Sequence, residues 1–294
     1  MSNIMLFAVW NRPEMFQLVT ESLIEAYNYY PFPDLKFVFA VEAPTDPKVL
    51  GLVDKFPFEV DTVLIRENHA GLSRNILEAM KIAMNKTDNY MFFQADDIVV
   101  HKTFFKFYQT LLEEYEDKFS AHSLATYTEG GNINRVNVGH AYDAAGACIS
   151  KEFWQNYILP CSSEAFYSNR PNFVNHVDAQ YQEYFPRPYK FKVGQGKFNQ
   201  QAGLINRLVD VAVIKEGYHS TTVDVARVRN IGFYGRNRGG ASLEGNTFEE
   251  RLDYLREVII DRDSIYALTA ARQYSDYVNF DKGIDDWNGS LIIK

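Results

Sequence analysis

Tyr90-Met91-Phe92-Phe93-Gln94-Ala95-Asp96-Asp97-Ile98-Val99-Val100 decides how this chain is read. An apolar run of strand length meets two adjacent carboxylates and resumes at once as an apolar run. The acids therefore stand where a buried strand reaches open space. Adjacent residues of a regular strand point to opposite faces, so the strand must break at Asp96 and Asp97 if both are to serve one site. Two carboxylates at the rim of an apolar core each need a cation, a donor or water. A divalent ion held through oxygen, Mg²⁺ or Mn²⁺, is one answer; a solvated turn is the other.

Working outward towards the N-terminus, Ile4 to Trp10 reads as a short buried strand. Asn11-Arg12-Pro13-Glu14 follows as a helix start, with a polar cap, a proline in the first turn and an acid behind it. A second strand, Lys36 to Val41, ends in Glu42-Ala43-Pro44-Thr45-Asp46-Pro47, where the prolines predict an end to regular structure. A third, Thr62 to Ile65, leads to Ser73, the expected cap of a helix with Ile76, Leu77, Met80 and Met84 on its apolar face. Strands alternating with helices at this spacing predict an α/β fold with a largely parallel sheet. Ligands of such sheets bind beyond the carboxyl ends of the strands. Asn11, Arg12, Glu42, Asp96 and Asp97 all fall there.

Towards the C-terminus, Thr103 to Tyr115 has helical periodicity, Ser120 to Tyr127 reads as a strand, and Thr128 to His140 as a polar loop. Tyr142 to Ile149 is small and apolar, and Lys151 opens another helix. Leu204 to Val213 reads as helix, Thr221 to Asn230 as one strand, and the glycine-rich 232–240 as a loop. Thr247 and Glu250 form a capping box for a helix reaching about Ile260, with a second helix expected over Ser264 to Tyr277.

At 294 residues, 46% hydrophobic and 23% charged, the chain has the composition of a soluble globular protein. No apolar run is long enough for a membrane span, and the first residues lack the pattern of a signal peptide, so a cytoplasmic protein is expected. Two cysteines, Cys148 and Cys161, make neither a disulfide framework nor a metal motif. The net charge of -8 argues against a general nucleic-acid binder, yet residues 187–240 hold ten basic residues against three acidic ones. Either an anion docks there or the face is simply solvated.

Val9-Trp10-Asn11-Arg12-Pro13-Glu14 and Gly71-Leu72-Ser73-Arg74-Asn75 resemble segments of family 2 glycosyltransferases. Ala95-Asp96-Asp97-Ile98, with Phe104-Phe105 behind it, resembles the acidic motif of N-acetylglucosaminyltransferase I and its relatives. The resemblance implies a GT-A fold: a Rossmann-like, mixed, mostly parallel sheet flanked by helices, occupying residues 1–240 in two halves (1–101 and 102–240), with a helical tail over 241–294. It implies a UDP-sugar or similar nucleotide-sugar donor, a Mn²⁺ or Mg²⁺ ion on Asp97 with Asp96 in support, and transfer to a hydroxyl acceptor with inversion. Arg12 and Glu42 would hold the nucleoside, with Asn11 beside them, Arg74 and Asn75 the nucleotide or donor sugar, and Arg236 or Arg238 the diphosphate, with Arg229 also at the donor site.

Two departures stand out. Ala95 replaces the first acid of the triplet, and the 232–240 loop offers arginines but no histidine for the metal. Asp178 is the base that the resemblance favours, ahead of His176 and Asp143. Sugar-phosphate nucleotidyl transfer predicts a glycine-rich phosphate loop after the first strand, which Trp10-Asn11-Arg12-Pro13 is not. A carbohydrate-binding or nucleotide-sugar-binding module without catalysis remains a rival, as does a modified nucleobase in DNA as acceptor.

Overall fold

The computed structural model describes residues 3–115, 121–124, 131–139, 142, 144–161, 209, 219–232, 244–260 and 287–293. Their centre is a nine-stranded mixed sheet. β1 (Asn3–Val9) lies between β2 (Leu35–Val41) and β4 (Tyr90–Ala95), parallel to both, and β3 (Val60–Ile65) extends the parallel half beyond β2. β8 (Ala147–Ser150) runs antiparallel beside β4. Beyond it come β6 (Ala121–His122), β9 (Ser220–Val223), β7 (Arg135–Gly139) and β11 (Ile292–Ile293). β5 (Ile98–Val100) and β10 (Val228–Asn230) form a separate antiparallel ribbon. The fold is α/β, with five of the eight pairings in the large sheet parallel.

Alternation along the central strands feeds two cores. Met5, Phe7, Val9, Phe37, Phe39, Val41 and Phe92 face one side, with α1 (Pro13–Tyr29) and α4 (Phe104–Tyr115). Ile4, Leu6, Ala8, Val38, Ala40, Met91 and Phe93 face the other, against Ile76, Leu77, Met80 and Met84 of α3 (Leu72–Lys86). Phe7 stacks on Phe39 at 5.3 Å and meets Phe16 edge-on at 5.1 Å. Such pairs add about 0.5–1.5 kcal/mol each beyond burial.

Several local expectations are corrected. β2 does end at Val41, as the prolines lead one to expect, but regular structure resumes within the same stretch: Pro47 occupies the first turn of α2 (Pro47–Asp54), and Asp46 accepts a hydrogen bond from Lys48 N at 2.8 Å. Proline lacks an N–H that this position would leave without a helical partner anyway. Gly71, not Ser73, is the N-cap of α3, at a φ of 84° that suits glycine. The polar stretch expected as a loop contains β7, whose Asn137 donates to Asp224 Oδ1 at 2.6 Å. The single strand expected over Thr221 to Asn230 divides into β9 and β10, which serve different sheets. Lys151 does open a short helix, α5 (Lys151–Phe153), with Ser150 Oγ accepting from Phe153 N.

The region expected as a tail contributes to the body. Leu252 and Leu255 of α6 (Phe248–Ile260) are buried, and Arg251 Nε donates to Glu14 Oε1 on α1 at 2.7 Å. Trp287 is buried, and β11 adds a parallel edge to β7. The helices expected over Leu204 to Val213 and Ser264 to Tyr277 lie outside the described residues, apart from the buried Val209.

His122 on β6 is buried, with Nδ1 2.7 Å from Thr221 Oγ1 of β9. Burial drives its pKa from 6.5 down to about 3. Between those values the unfolded chain binds a proton that the folded chain refuses, so stability falls as pH drops below 6.5. The slope from this residue approaches about 1.4 kcal/mol per pH unit. Urea unfolding at pH 7 and pH 5 is expected to show a larger loss for the wild type than for His122→Asn; equal losses would remove His122 as the cause.

Candidate functional site

The carboxyl ends of β1, β2 and β4 converge, and hydrogen bonds join their loops. β4 ends at Ala95, and the turn at Asp96-Asp97 is braced by Gln94, whose Nε2 donates to Ile98 O. Asp96 N donates to Ala8 O at 3.0 Å, continuing the β4–β1 pairing to the edge. Trp10 N donates to Asp96 Oδ2 at 3.0 Å. Glu42 N donates to Val9 O at 3.0 Å, and Trp10 Nε1 to Pro44 O at 3.1 Å.

Arg12, at the N-cap of α1, reaches both acids. Its Nη2 donates to Asp96 Oδ1 and its Nη1 to Asp97 Oδ2 at 2.6 Å. The break in the strand thus aims both carboxylates at one point, as the sequence requires, and the group at that point is a guanidinium. Burial disfavours the charge on Arg12, but Asp96 and Asp97 outweigh it and raise its pKa, so it stays protonated. Burial likewise lifts the Asp96 carboxyl above the usual range, against the pull of Arg12. Asp96 is 1% exposed, so its ion pair is shielded from solvent.

Behind Asp97, Ile231 N donates to Asp97 O at 2.7 Å, and Gly232 N to Asn230 Oδ1 at 2.8 Å. A Cβ at Gly232 would overlap Asp97 Oδ2, so glycine permits this approach. Arg229 is buried on β10, opposite Val99.

Glu42 forms a second polar centre. It is buried, and Oε1 accepts from Ala43 N and Ala70 N, both at 2.9 Å. Its Oε2 is buried with no hydrogen-bond partner among the described residues. An acceptor in that state needs a donor from a ligand or a water. Asn11 Oδ1 is also buried without a partner among them. The Trp10 ring lies 5.9 Å from the His69 ring at 34°, and His69 Nδ1 is 2.9 Å from Ala43 O.

The structure therefore gathers Asn11, Arg12, Glu42, Asp96 and Asp97 at one end of the sheet. It engages Arg74 and Asn75 elsewhere. Asn75 is buried, with Nδ2 donating to Ala40 O at 3.3 Å and Oδ1 accepting from Arg66 Nε at 2.9 Å. Arg74 Nε donates to Glu78 at 2.7 Å, one turn along the same helix. Asp178, Arg236, His176 and Asp143 lie outside the described residues. Trp10, His69 and Gly232 were not singled out from the sequence. Trp10 adjoins the Asn11-Arg12 motif, but the ring pairing with His69 spans nearly sixty positions and has no local signature.

Of the ten basic residues in 187–240, Arg227 and Arg229 are buried and so belong to no solvent-facing basic patch; the other eight lie outside the described residues. No described helix is long and apolar enough to cross a membrane.

No family model matches the sequence, and no curated protein matches it. Among solved structures, S. aureus TarS aligns with 89% of this chain at 9% identity and a TM-score of 0.49, the match covering 40% of that chain. Residues 1–349 of TarS in complex with UDP-GlcNAc align with 88% of this chain at 11% identity and a TM-score of 0.46, covering 66% of that chain. The same TarS piece without that ligand aligns with 90% at 11% identity and a TM-score of 0.44, covering 74% of it. This chain thus spans less than half of the longer TarS chain. No donor, acceptor or activity passes to it from similarity at this level.

Proposed function

We propose that the protein is a glycosyltransferase of GT-A type that takes a sugar from a nucleotide diphosphate donor, a UDP-sugar by preference, and passes it with inversion to a hydroxyl acceptor. The observation that carries this reading is the meeting of Glu42, whose buried Oε2 has no partner among the described residues, and the Arg12–Asp96–Asp97 cluster at the carboxyl ends of adjacent parallel strands. That end of an open α/β sheet is where nucleotides bind.

In this reading Glu42 Oε2 accepts an N–H or O–H from the nucleoside, while the Trp10 and His69 rings offer flat surface beside it. Part-buried Arg12 and the two acids fix the floor on which the diphosphate rests, with Arg236 as a further counter-charge for it and Arg229 buried behind. Asp178 takes the proton of the acceptor hydroxyl as the sugar transfers, a role that needs its carboxylate within hydrogen-bond reach of that hydroxyl. Arg74 and Asn75 support the nucleotide site through α3.

A thermal-shift screen of nucleotide-sugars tests the donor, because a ligand of the native state raises Tm. The expected result is stabilisation by one nucleotide-sugar class. Failure of every nucleotide and nucleotide-sugar to shift Tm at millimolar concentration would overturn the reading. Glu42→Gln keeps an oxygen for Ala43 N and Ala70 N but turns Oε2 into a donor. It is expected to weaken donor binding about tenfold or more, the value of a hydrogen bond to a charged group, without a comparable loss of stability. Calorimetric titration reads the first and urea unfolding the second; unchanged donor affinity would clear Glu42 of the role.

Ala95 and an acid pair already engaged by Arg12 favour a second reading, a donor-binding protein without turnover. Donor binding with no product from any hydroxyl acceptor and no donor hydrolysis would select it.

A further inference from the structure

The resemblance implies a divalent ion between Asp96 and Asp97, and the residues present do not fit one. Three of the four carboxylate oxygens already accept from N–H groups: Asp96 Oδ1 and Asp97 Oδ2 from Arg12, and Asp96 Oδ2 from Trp10 N. Gly232 closes on the side of Asp97 Oδ2 without room even for a methyl group. Mg²⁺ and Mn²⁺ favour six oxygen ligands in near-octahedral array. Among the described residues no group of three or more His, Cys, Asp or Glu side chains could hold an ion. Ala95 stands where a third acid would enlarge the set.

We propose that Arg12 is itself the cation of this site, held across Asp96 and Asp97 in the position of a divalent ion and excluding one while the ion pair is intact. A planar guanidinium can meet two carboxylates at once, which a single ammonium does poorly. Because it is fixed to the start of α1, this cation needs no recruitment from solution. The acid pair is then a latent metal site whose occupant is covalently part of the chain. The proposal does not depend on the donor assigned above, since metal binding is read on the protein alone.

Mn²⁺ titrated into the full chain, with the free ion followed by its EPR signal, tests this. Wild type is expected to show no stoichiometric site. Arg12→Gln, which removes the charge but keeps an amide, is expected to bind one Mn²⁺ about tenfold or more tightly than wild type, and Asp97→Asn in that background is expected to abolish the gain. A stoichiometric wild-type site lost in Asp97→Asn would overturn the proposal, and so would Arg12→Gln without any gain. Should Arg12→Gln fail to fold, the wild type decides by NMR. The Arg12 Nε–H signal is expected to survive Mn²⁺ unbroadened, and its selective loss at stoichiometric Mn²⁺ would refute the exclusion.

Discussion

Asp96→Ala is expected to lower the unfolding free energy by about 3–5 kcal/mol, the range for removing one partner of a buried ion pair. The loss has two sources. Among the described residues Arg12 then keeps only Asp97 to balance it, in a place where its charge is poorly solvated, and Trp10 N loses its acceptor. Asp97→Ala is expected to cost less, because its side chain is 14% exposed against 2% for Asp96, and water can take its place beside Arg12. The double change Arg12→Met with Asp96→Leu is expected to recover part of the deficit, since it removes both charges of the more buried pair and leaves Asp97, whose side chain is 14% exposed, to water. Urea unfolding of Arg12→Met, Asp96→Leu and the double gives the coupling of that pair directly. An Asp96→Ala protein within about 1 kcal/mol of wild type, the ordinary effect of a point change, would show that the pair is not buried as described. The same variants separate fold from function: Asp97→Ala should retain the fold and report on donor binding, whereas Asp96→Ala confounds the two.

The parallel half of the sheet was legible because its information is local. Unbroken apolar runs at Ile4, Lys36 and Tyr90, spaced by helical periodicity, require a sheet covered on both faces, and the two cores have that arrangement. The acid pair was legible for a related reason: charge directly after a buried strand must be compensated. What compensates it was not, because Arg12 lies 84 positions before Asp96 and a cation of either kind satisfies the same rule. The second half of the sheet was less readable still. β6 and β11 have two residues each, β7 is polar, and their pairing depends on partners up to about 160 positions away. Arg227 and Arg229 looked like solvent-facing charge, since a sequence does not reveal that aromatic rings will enclose an arginine.

Trp287→Ala is expected to cost about 3–5 kcal/mol, as buried tryptophans do when truncated, although it belongs to a segment that reads as a tail. Its ring centroid is 5.2 Å from that of Phe107 on α4, and the Arg227 guanidinium carbon lies 5.2 Å from the Trp287 ring and 3.8 Å from the Phe107 ring. Arg227 is wholly buried; its Nη1 donates to Val225 O at 3.1 Å and its Nη2 to Ile133 O at 2.6 Å. Burial lowers its pKa to about 9, so at neutral pH it remains charged and relies on the two ring faces and these carbonyls for solvation. Removing the indole therefore opens a cavity and uncovers that charge together. It also unfastens the turn in which Trp287 Nε1 donates to Ser290 O at 3.0 Å, just before Ile292 N reaches Asn134 O at 2.7 Å. Hydrogen exchange gives the discriminating measurement. In Trp287→Ala, protection at Ile292 should fall towards that of an unpaired edge, while β1 and β2 lose only the protection that follows the global change. Protection lost uniformly across the sheet would mean that the indole supports the whole core and not the junction of α4, the Arg227 turn and the C-terminal strand.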